Sequence, residues 1–384
     1  MSKNISILIL SLAGGGGERE AAILTNYFHK KYNMTLFLLH NTIQFDLVEG
    51  VNIKMLDTTE LHKTTIIDIL KIPFLAWKYK KECDKKDIDT SFSFLTRTNL
   101  IAACSKLFGN KAKIILCEVT TLSKMYGTNS MKDKLMNFLI KRLYKKADLV
   151  IPNSKGSHKE LLEIFNVPNA ITIYNPLDLG DIDTKKVLEP KNQIEFDKFT
   201  FVKVARFQYP KDFTTLLRSF ALVKNKNSQL VLIGVGEDMT KSEQLCEKLG
   251  IADRVIFVGF DRNPFAYLHR SDCFVFSSLL EGFPNSMQEA IACNLPIIST
   301  DCENGPREML APHLEIGVDI FKDNDMVIGE CGILVPVGDI DALARAMNMI
   351  IDDNDLLNKL KEKTKTIAPK FALDYITAEF DKYT

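Results

Sequence analysis

The clearest chemical pattern in the chain is a pair of carboxylates, Glu281 and Glu289, in segment 281–289. An apolar run of strand length precedes the segment, so Glu281 is expected in a loop at a strand end. Asn285 is expected to cap a helix that carries Glu289 in its first turn. The two carboxylates could then contact different parts of one ligand, and free amides at the helix start could bind phosphate. Two ordinary acids near a helix start, where acids are favourable anyway, would give the same pattern.

Two cations, Arg206 and Lys211, follow another predicted strand. Pro210 suits the first turn of a helix that begins beside Lys211. Arginine offers a planar fork of donors and lysine a point charge, so the two could neutralise one diphosphate. Two solvated surface charges are an equally simple explanation.

Two glycine-rich turns also follow predicted strands. Residues 14–17 open a helix, where backbone amides could approach an anion closely. Residues 234–237, Gly-Val-Gly-Glu, could admit a ribose or a base. A nicotinamide fingerprint would need glycine where Arg19 stands, and the Gly-Lys-Ser/Thr of a P-loop is missing. Plain tight turns remain the alternative for both segments.

These segments fall on a regular alternation of strand-length apolar runs and helical patterns, which predicts parallel sheets with helices on both faces. A polar loop, 301–308, follows one more predicted strand. Open parallel sheets bind ligands outside the carboxyl ends of their strands, where all these segments lie. The predicted strands are 5–11, 35–39, 51–55, 89–94, 113–117, 148–152, 170–174, 200–205, 229–233, 254–258, 273–277, 296–299 and 332–335.

The length of 384 residues suits two domains. The predicted fold class is α/β, with two Rossmann-like, doubly wound parallel-sheet domains facing each other across a cleft. An N-terminal domain is predicted over residues 1–178, a polar linker over 179–198 and a C-terminal domain over 199–365. A C-terminal helix within 366–384 is expected to pack back toward the N-terminal domain.

Composition narrows the class of protein. The chain has 49 basic and 49 acidic residues, and this balance argues against a dedicated nucleic-acid binder. None of the eight cysteines has a CxxC partner, so they are expected to be buried free thiols in a reducing compartment. The apolar start is expected to form a buried first strand rather than a signal peptide, and no stretch approaches the ~18 apolar residues of a membrane span. A cytoplasmic protein is therefore expected.

In this order, the segments resemble those of the retaining GT-B glycosyltransferases of family 4, and the resemblance covers essentially the whole chain. It is most specific at the Glu-x7-Glu element, 281–289, and segments 204–213, 234–237 and 304–308 add support. The chain looks most similar to bacterial enzymes that add hexoses or N-acetylhexosamines to lipid-linked or cell-envelope glycans. The resemblance implies a nucleotide diphosphate sugar donor, with uridine as the expected base, and neither a metal nor a cofactor.

The resemblance also implies residue roles. Arg206 and Lys211 would neutralise the donor diphosphate, and Glu281, which completes the catalytic set, would contact hydroxyls of the donor sugar. Glu289 would hold the ribose hydroxyls. The other donor-binding residues would be Gly16, Gly17, Gly234, Gly236, Glu237, Gly282, Phe283, Asn285 and Ser286. The residues that face the acceptor would be Arg97, Asn99 and Glu118.

The chain departs from the family at one position. Many relatives carry a histidine near the end of the strand before the cleft, where this chain has Cys117-Glu118-Val119-Thr120. The hydrogen bond credited to that histidine therefore has no donor here, which leaves the donor sugar open.

The sequence also allows three other classes of protein to be considered: a metal-dependent transferase, an epimerase and a binding protein. Asp-x-Asp, the pattern of metal-dependent GT-A transferases, recurs along this acid-rich chain, before a strand at Asp87/Asp89 and otherwise in linkers, loops or helix starts, so it indicates no metal site. A nucleotide-sugar epimerase would use the same scaffold without an acceptor. A non-catalytic nucleotide-sugar binding protein would bind without releasing the nucleotide.

Two basic amphipathic segments, 131–146 and 72–81, could contact an anionic membrane. An enzyme with a polyprenyl-diphosphate-linked acceptor would benefit from peripheral contact with the inner face of the cytoplasmic membrane. Packed helices with solvated basic faces are the alternative.

Overall fold

A computed structural model describes residues 3–57, 65–128, 130–321 and 325–384. The chain forms two compact units. Unit 1 comprises Met1–Pro176 and Ile376–Thr384, and unit 2 comprises Leu177–Tyr375. Each unit is built on its own, mainly parallel sheet with helices packed against it. This confirms the predicted class of two parallel-sheet α/β domains.

Unit 1 contains a six-stranded parallel sheet in the order β3-β2-β1-β4-β5-β6. The chain builds outward from β1 in one direction and then, from β4, in the other, so the topological switch lies between β1 and β4. The strands are β1 (Asn4–Ile9), β2 (Asn33–Leu38), β3 (Asn52–Met55), β4 (Thr90–Phe94), β5 (Lys113–Glu118) and β6 (Leu149–Pro152).

Apolar side chains cover both faces of this sheet, because successive residues of a strand point to opposite sides. On one face Phe37 packs edge-on against Tyr79, with ring centroids 5.3 Å apart. On the other, Phe28 stacks on Phe92 at 5.2 Å. The helices of this part of the chain are α1 (Gly16–His29), α2 (Ile66–Leu70), α3 (Ile72–Lys85), α4 (Thr96–Ser105), α5 (Leu122–Met125), α6 (Met131–Leu143) and α7 (Lys155–Glu163).

Unit 2 contains a seven-stranded sheet in the order β12-β13-β11-β10-β7-β8-β9, parallel except for the edge strand β12. Its topological switch lies between β7 and β10, which pair directly. The strands are β7 (Phe199–Val204), β8 (Ser228–Ile233), β9 (Val255–Gly259), β10 (Cys273–Phe276), β11 (Ile297–Thr300), β12 (Val327–Ile328) and β13 (Gly332–Val335). The remaining helices are α8 (Leu179–Lys186), α9 (Phe213–Ala221), α10 (Met239–Leu249), α11 (Phe265–Arg270), α12 (Asn285–Ala292), α13 (Pro306–Leu310), α14 (Ile340–Asp352), α15 (Asn354–Ile367) and α16 (Leu373–Asp381).

The predicted linker, 179–198, differs from what the structure shows. It begins with helix α8, whose first turn Asp178 caps by accepting a hydrogen bond from the amide of Asp181 at 2.9 Å. The Asn263 side chain donates to the carbonyl of Lys185 at 2.9 Å, which ties this segment to the rest of unit 2. The segment is therefore an integral part of unit 2, and the chain passes from unit 1 to unit 2 just before α8.

The last residues of the sequence, Ile376–Thr384, belong to unit 1. Phe380 lies edge-on to Phe92 at 6.0 Å, and Asp381 forms an ion pair with Lys31 at 2.9 Å. Lys113 donates to the carbonyl of Tyr383 at 2.9 Å. These contacts add the end of α16 to the core and rim of unit 1.

All eight cysteines are buried free thiols, as the sequence predicts. None of the helices in the described ranges combines the length and the hydropathy that a bilayer span requires.

Candidate functional site

The carboxyl ends of β7 and β10 form the switch point of unit 2, the position at which open parallel sheets bind ligands. The loop after β7 carries Arg206 and Lys211, and the loop after β10 carries Glu281. The structure brings two of these together, because Lys211 Nζ lies 2.5 Å from Glu281 Oε1. Both side chains are largely buried, at 23% and 11% exposure, whereas Arg206 is exposed.

A lysine that the sequence analysis did not single out joins these two loops. Lys203, on β7, is fully buried, and its Nζ donates to the carbonyl of Lys211 and to Ser277 Oγ, both at 2.6 Å. Ser277, directly after β10, donates to the carbonyl of Asp212 at 2.8 Å. Hydrogen bonds from Lys203 and Ser277 therefore connect the loop that carries Lys211 to the end of β10, from which the Glu281 loop continues.

Burial lowers the pKa of Lys203 to about 7, and the neighbouring charge of Lys211 lowers it as well, while Glu281 and Asp212 act in the opposite direction. One feature of the sequence could have revealed Lys203, namely a charged residue in the middle of an otherwise apolar strand. Such a residue is rarely buried without a specific partner.

The Glu281–Glu289 element differs in two details from the prediction. Pro284 occupies the N-cap position of α12 and Asn285 is the first helical residue, so Asn285 does not cap the helix with its side chain. Glu289 is the fifth residue of α12 rather than a first-turn residue, and only 5% of it is exposed. The helix therefore begins one residue earlier than the sequence predicts.

The other donor-site candidates in this element fall into two groups. Phe283 is buried and packs edge-on against Phe371, with ring centroids 5.8 Å apart, so its side chain is part of the core of unit 2. Gly282 and Ser286 are partly exposed, as is Asn285. The ring of Phe283 therefore packs inside unit 2, whereas Gly282, Asn285 and Ser286 reach the surface.

The turn after β8 lies directly against the loop after β7. A Cβ on Gly234, whose φ is +139°, would stand 2.0 Å from the carbonyl oxygen of Ala205. A Cβ on Gly236 would stand 2.3 Å from the carbonyl oxygen of Phe207. Close backbone approach thus accounts for both glycines, and it holds the exposed Glu237 beside the loop that carries Arg206.

The polar loop after β11 supports the Glu281 loop. Arg307 forms a buried ion pair with Asp301, in which Nε donates to Oδ1 at 3.0 Å. Gly305 packs so closely on the neighbouring loop that a Cβ there would lie 2.5 Å from Pro284 Cδ. Part of this loop is helical, as α13, because Pro306 occupies its first turn.

In unit 1, Gly16 begins α1 at the carboxyl end of β1. Gly15 occupies the N-cap position and makes no side-chain cap. A Cβ on Gly17 would lie 2.8 Å from Val119 Cγ2, so a glycine is needed where α1 packs on the loop after β5. Gly16 and Gly17 therefore belong to the glycine-rich helix start that the sequence predicts, and they lie in unit 1.

The three predicted acceptor-side residues are buried. Glu118 is fully buried and accepts hydrogen bonds from the hydroxyls of Tyr144 and Thr120, both at 2.6 Å. Burial raises the pKa of Glu118, and these donors partly oppose the rise. Asn99, also fully buried, donates to the carbonyl of Cys117 at 3.0 Å.

The side chains of Glu118 and Asn99 are turned inward, where they tie α4 to the end of β5, and neither has an exposed surface. Their acceptor-side role stays a prediction. Arg97, at 7% exposure, donates to Asp68 on α2 at 3.0 Å. Arg97 is thus the only one of the three with any exposed surface.

Among the residues that the structure describes, no group of three or more His, Cys, Asp or Glu side chains could hold a metal ion. Asp323, which belongs to one of the Asp-x-Asp pairs, lies outside the described residues.

Comparisons with known proteins agree on one family. The family model described as "Glycosyl transferases group 1" matches residues 184–367. The chain is 34% identical, over 99% of both sequences, to the N-acetylgalactosamine-N,N'-diacetylbacillosaminyl-diphospho-undecaprenol 4-alpha-N-acetylgalactosaminyltransferase of Campylobacter jejuni. It is 25% identical to a second C. jejuni enzyme, a GalNAc-alpha-(1->4)-GalNAc-alpha-(1->3)-diNAcBac-PP-undecaprenol alpha-1,4-N-acetyl-D-galactosaminyltransferase, over 98% of this chain and 97% of that one.

The structure is similar to that of Anabaena HepE in complex with UDP, with a TM-score of 0.75 at 18% identity over 99% of this chain and 98% of that chain. Two parallel-sheet α/β units of this kind are the architecture of the GT-B glycosyltransferases. The chain belongs to the group 1 glycosyl transferases and is a glycosyltransferase.

Proposed function

We propose that this glycosyltransferase moves a hexose or N-acetylhexosamine from a nucleotide diphosphate sugar, most simply a UDP-sugar, to a lipid-linked or cell-envelope glycan, with retention and without a metal ion. The observation that carries the proposal is the Lys211–Glu281 pair, 2.5 Å apart at the switch point of unit 2. Arg206 lies on the same loop as Lys211, so two cations and one carboxylate share the carboxyl ends of β7 and β10.

These charges suit the electrostatic demand of the reaction. Breaking the sugar–phosphate bond develops negative charge on the leaving diphosphate, and preorganised cations stabilise that charge. Glu281 holds the ammonium of Lys211 in place and can accept hydrogen bonds from sugar hydroxyls. Glu289, on the adjacent α12, would accept hydrogen bonds from the ribose hydroxyls. Gly234, Gly236 and Glu237 would lie beside the nucleoside.

Retention and metal independence are parts of the proposal. In a front-side reaction the leaving phosphate helps to take the acceptor proton, so the site needs no carboxylate pair of the glycosidase type. Two cations would then do the work that a divalent ion does elsewhere. Transfer measured in excess EDTA should be unchanged, and the anomeric configuration of the product should match that of the donor.

The relatives suggest the substrates to test first. Two full-length relatives are named as N-acetylgalactosaminyltransferases that act on undecaprenyl-diphosphate-linked glycans. A protein of similar fold was solved with UDP. UDP-N-acetylgalactosamine and an undecaprenyl-diphosphate-linked oligosaccharide are therefore the first donor and acceptor. An epimerase would turn over the donor without this acceptor, and a binding module would release no UDP.

Thermal unfolding with UDP, GDP and ADP tests the donor site. A ligand at 100 times its Kd should stabilise the protein by about 2.7 kcal/mol. We expect UDP to stabilise the wild type and Arg206→Ala to lose most of that effect, while Arg345→Ala, an exposed arginine elsewhere in unit 2, retains it. If no diphosphate stabilises the wild type, or if Arg206→Ala responds like Arg345→Ala, the proposed donor site is wrong.

Peripheral membrane contact is the third part of the proposal, and the structure favours one of the two predicted segments. The α2–α3 face consists of Ile66, Ile67, Leu70, Phe74 and Trp77, which are between 41% and 70% exposed at helical spacing. The ammonium of Lys81 lies 3.8 Å from the centre of the Trp77 ring, at the basic end of the face. An apolar face with a tryptophan and a lysine at its border matches the interface of an anionic bilayer.

The other segment is mainly a packed helix. Along α6, Met136, Ile140 and Leu143 are buried in the core of unit 1, and the basic residues of the helix lie on its outer side.

Flotation tests the α2–α3 face. We expect wild-type protein to float with vesicles that contain anionic lipid at low salt. Replacement of Phe74 and Trp77 by serine should abolish flotation, whereas Leu222→Ser, an equally exposed leucine in unit 2, should have no effect. Flotation of the double variant at wild-type levels would rule out this face.

A further inference from the structure

Lys203 lies in the core of unit 2, next to the two loops that form the proposed donor site. Its side chain is fully buried, and its Nζ bridges the carbonyl of Lys211 and the hydroxyl of Ser277. The Nζ also lies 4.7 Å from the centre of the Phe213 ring and 5.9 Å from that of Phe276. It thus has polar partners on one side and aromatic faces on the other.

We propose that Lys203 is a positioning residue for the donor diphosphate and that it takes up a proton when the diphosphate binds. This inference rests on the proposed function, because it needs a diphosphate beside Lys211. Lys203 acts through two groups, the backbone of Lys211 and the strand end that leads to Glu281, and does not itself touch the ligand.

The positioning part follows from the hydrogen bonds. Lys211 and Glu281 are on different loops, and their pairing requires these loops to stay in register. Lys203 bonds to the loop after β7 and to the first residue after β10, and Ser277 adds a second bond to Asp212. A side chain without donors at position 203 removes both of the lysine's bonds and loosens the pair above.

The proton-uptake part follows from the surrounding charges. The charges that act on Lys203 come from Lys211, which disfavours the ammonium form, and from Glu281 and Asp212, which favour it. Cys302 also lies close by, but burial raises its pKa and keeps the thiol neutral. Burial and Lys211 together hold the pKa of Lys203 near 7, so both protonation forms are populated close to neutral pH. A bound diphosphate brings further negative charge to Lys211, and opposite charge nearby favours the ammonium form. Binding therefore draws a proton onto Lys203.

Calorimetric titration with UDP at pH 8, in buffers of different ionisation enthalpy, measures this proton directly. The phosphate groups are then fully ionised, because their second pKa is about 6. A rise of one unit in the pKa of Lys203 at pH 8 corresponds to uptake of roughly 0.4 proton. We expect uptake of this order in the wild type and none in Lys203→Met. The Kd of the wild type should also weaken as pH rises from 7 to 9, and the Kd of the variant should not.

A second variant separates positioning from titration. Lys203→Gln retains a hydrogen-bond donor and cannot take up a proton in this range, so it should bind more tightly than Lys203→Met, by up to roughly 10-fold, and still show no uptake. Because glutamine is polar, it also tests the inference if the methionine variant does not fold. Val202→Ala is the matched control, since Val202 is a buried neighbour on β7 that points to the opposite face of the sheet. This control should keep the wild-type proton uptake.

The outcomes distinguish a wrong role for Lys203 from a wrong donor site. UDP binding without proton uptake in the wild type, or equal uptake in Lys203→Met, overturns the role of Lys203 and leaves the donor site standing. If UDP, GDP and ADP all fail to bind the wild type, the proposed donor site fails, and the inference about Lys203 fails with it.

Discussion

Replacement of Glu20 by glutamine should stabilise unit 1 strongly at pH 8.5 and much less at pH 5. Glu20 lies on α1, is 3% exposed, and its buried Oε2 has no hydrogen-bond partner among the residues that the structure describes. Burial raises the pKa of its carboxyl from 4.5 to about 8. The folded protein therefore holds Glu20 in its neutral form well above the pH at which an unfolded chain ionises it.

The sign and size of the effect follow from proton linkage. Between pH 4.5 and about 8 the folded state binds more protons at this site than the unfolded state, so stability falls as pH rises through this window. Each pH unit is worth about 1.4 kcal/mol, which gives a total of the order of 5 kcal/mol across the window. Glutamine has the same size and does not titrate, so the variant escapes this loss. The difference in unfolding free energy should be about 1 kcal/mol at pH 5 and about 5 kcal/mol at pH 8.5.

Urea unfolding followed by tryptophan fluorescence suits this measurement, because Trp77 is the only tryptophan in the sequence and lies on α3 of unit 1. With an m-value of about 3 kcal/mol per molar, the midpoint at pH 8.5 should rise by ~1.5 M. Glu163→Gln, on an exposed position of α7, is the control and should not change the pH dependence. An equal wild-type-to-variant difference at pH 5 and pH 8.5 would refute the reasoning.

Three further predictions concern other sites. Glu118→Ala should destabilise unit 1 by roughly 3 kcal/mol or more, because it leaves several buried donors unpaired. Glu118→Gln should destabilise it less, and equal losses of stability in urea unfolding would contradict the hydrogen-bond argument. Gly234→Ala should destabilise unit 2 by several kcal/mol in calorimetry, because a Cβ would clash with backbone, whereas Gly250→Ala should cost about 1 kcal/mol, since its Cβ meets open space; similar losses would show that the clash is relieved. Glu289→Gln should weaken UDP binding by about 10- to 100-fold with little loss of stability, and unchanged affinity in a titration would remove Glu289 from the donor site.

Most strand positions and the sheet edge that carries the site were predictable from the sequence, because buried parallel strands are apolar runs that end in polar loops. The predicted strand 170–174 was wrong, because this segment forms only an isolated bridge between Ala170 and Val150. The loops after β7, β8, β10 and β11 all follow predicted strands, and the structure brings Lys211 and Glu281 together there. Helix α8 was missed because its surface is polar and charged, which a linker also is. Strand β12, with two residues, is too short to produce a periodic pattern.

Side-chain direction was the part that the sequence could not supply. Glu118 and Asn99 occupy the correct edge of the sheet, yet their side chains point into unit 1, where Tyr144 and the carbonyl of Cys117 meet them. These partners come from distant parts of the chain, so no local spacing reveals them. Lys203 was overlooked for the converse reason, since a lysine in a strand is usually assumed to reach solvent.

The return of Ile376–Thr384 to unit 1 has a consequence for how the protein is made. The ribosome delivers residues in order, and domains generally fold as units as they emerge. Unit 1 nevertheless receives Phe380, which covers Phe92, only after the whole of unit 2 has been synthesised. The first unit to emerge is thus the last to be completed, and a fragment that stops at Pro176 would leave part of its core open to water.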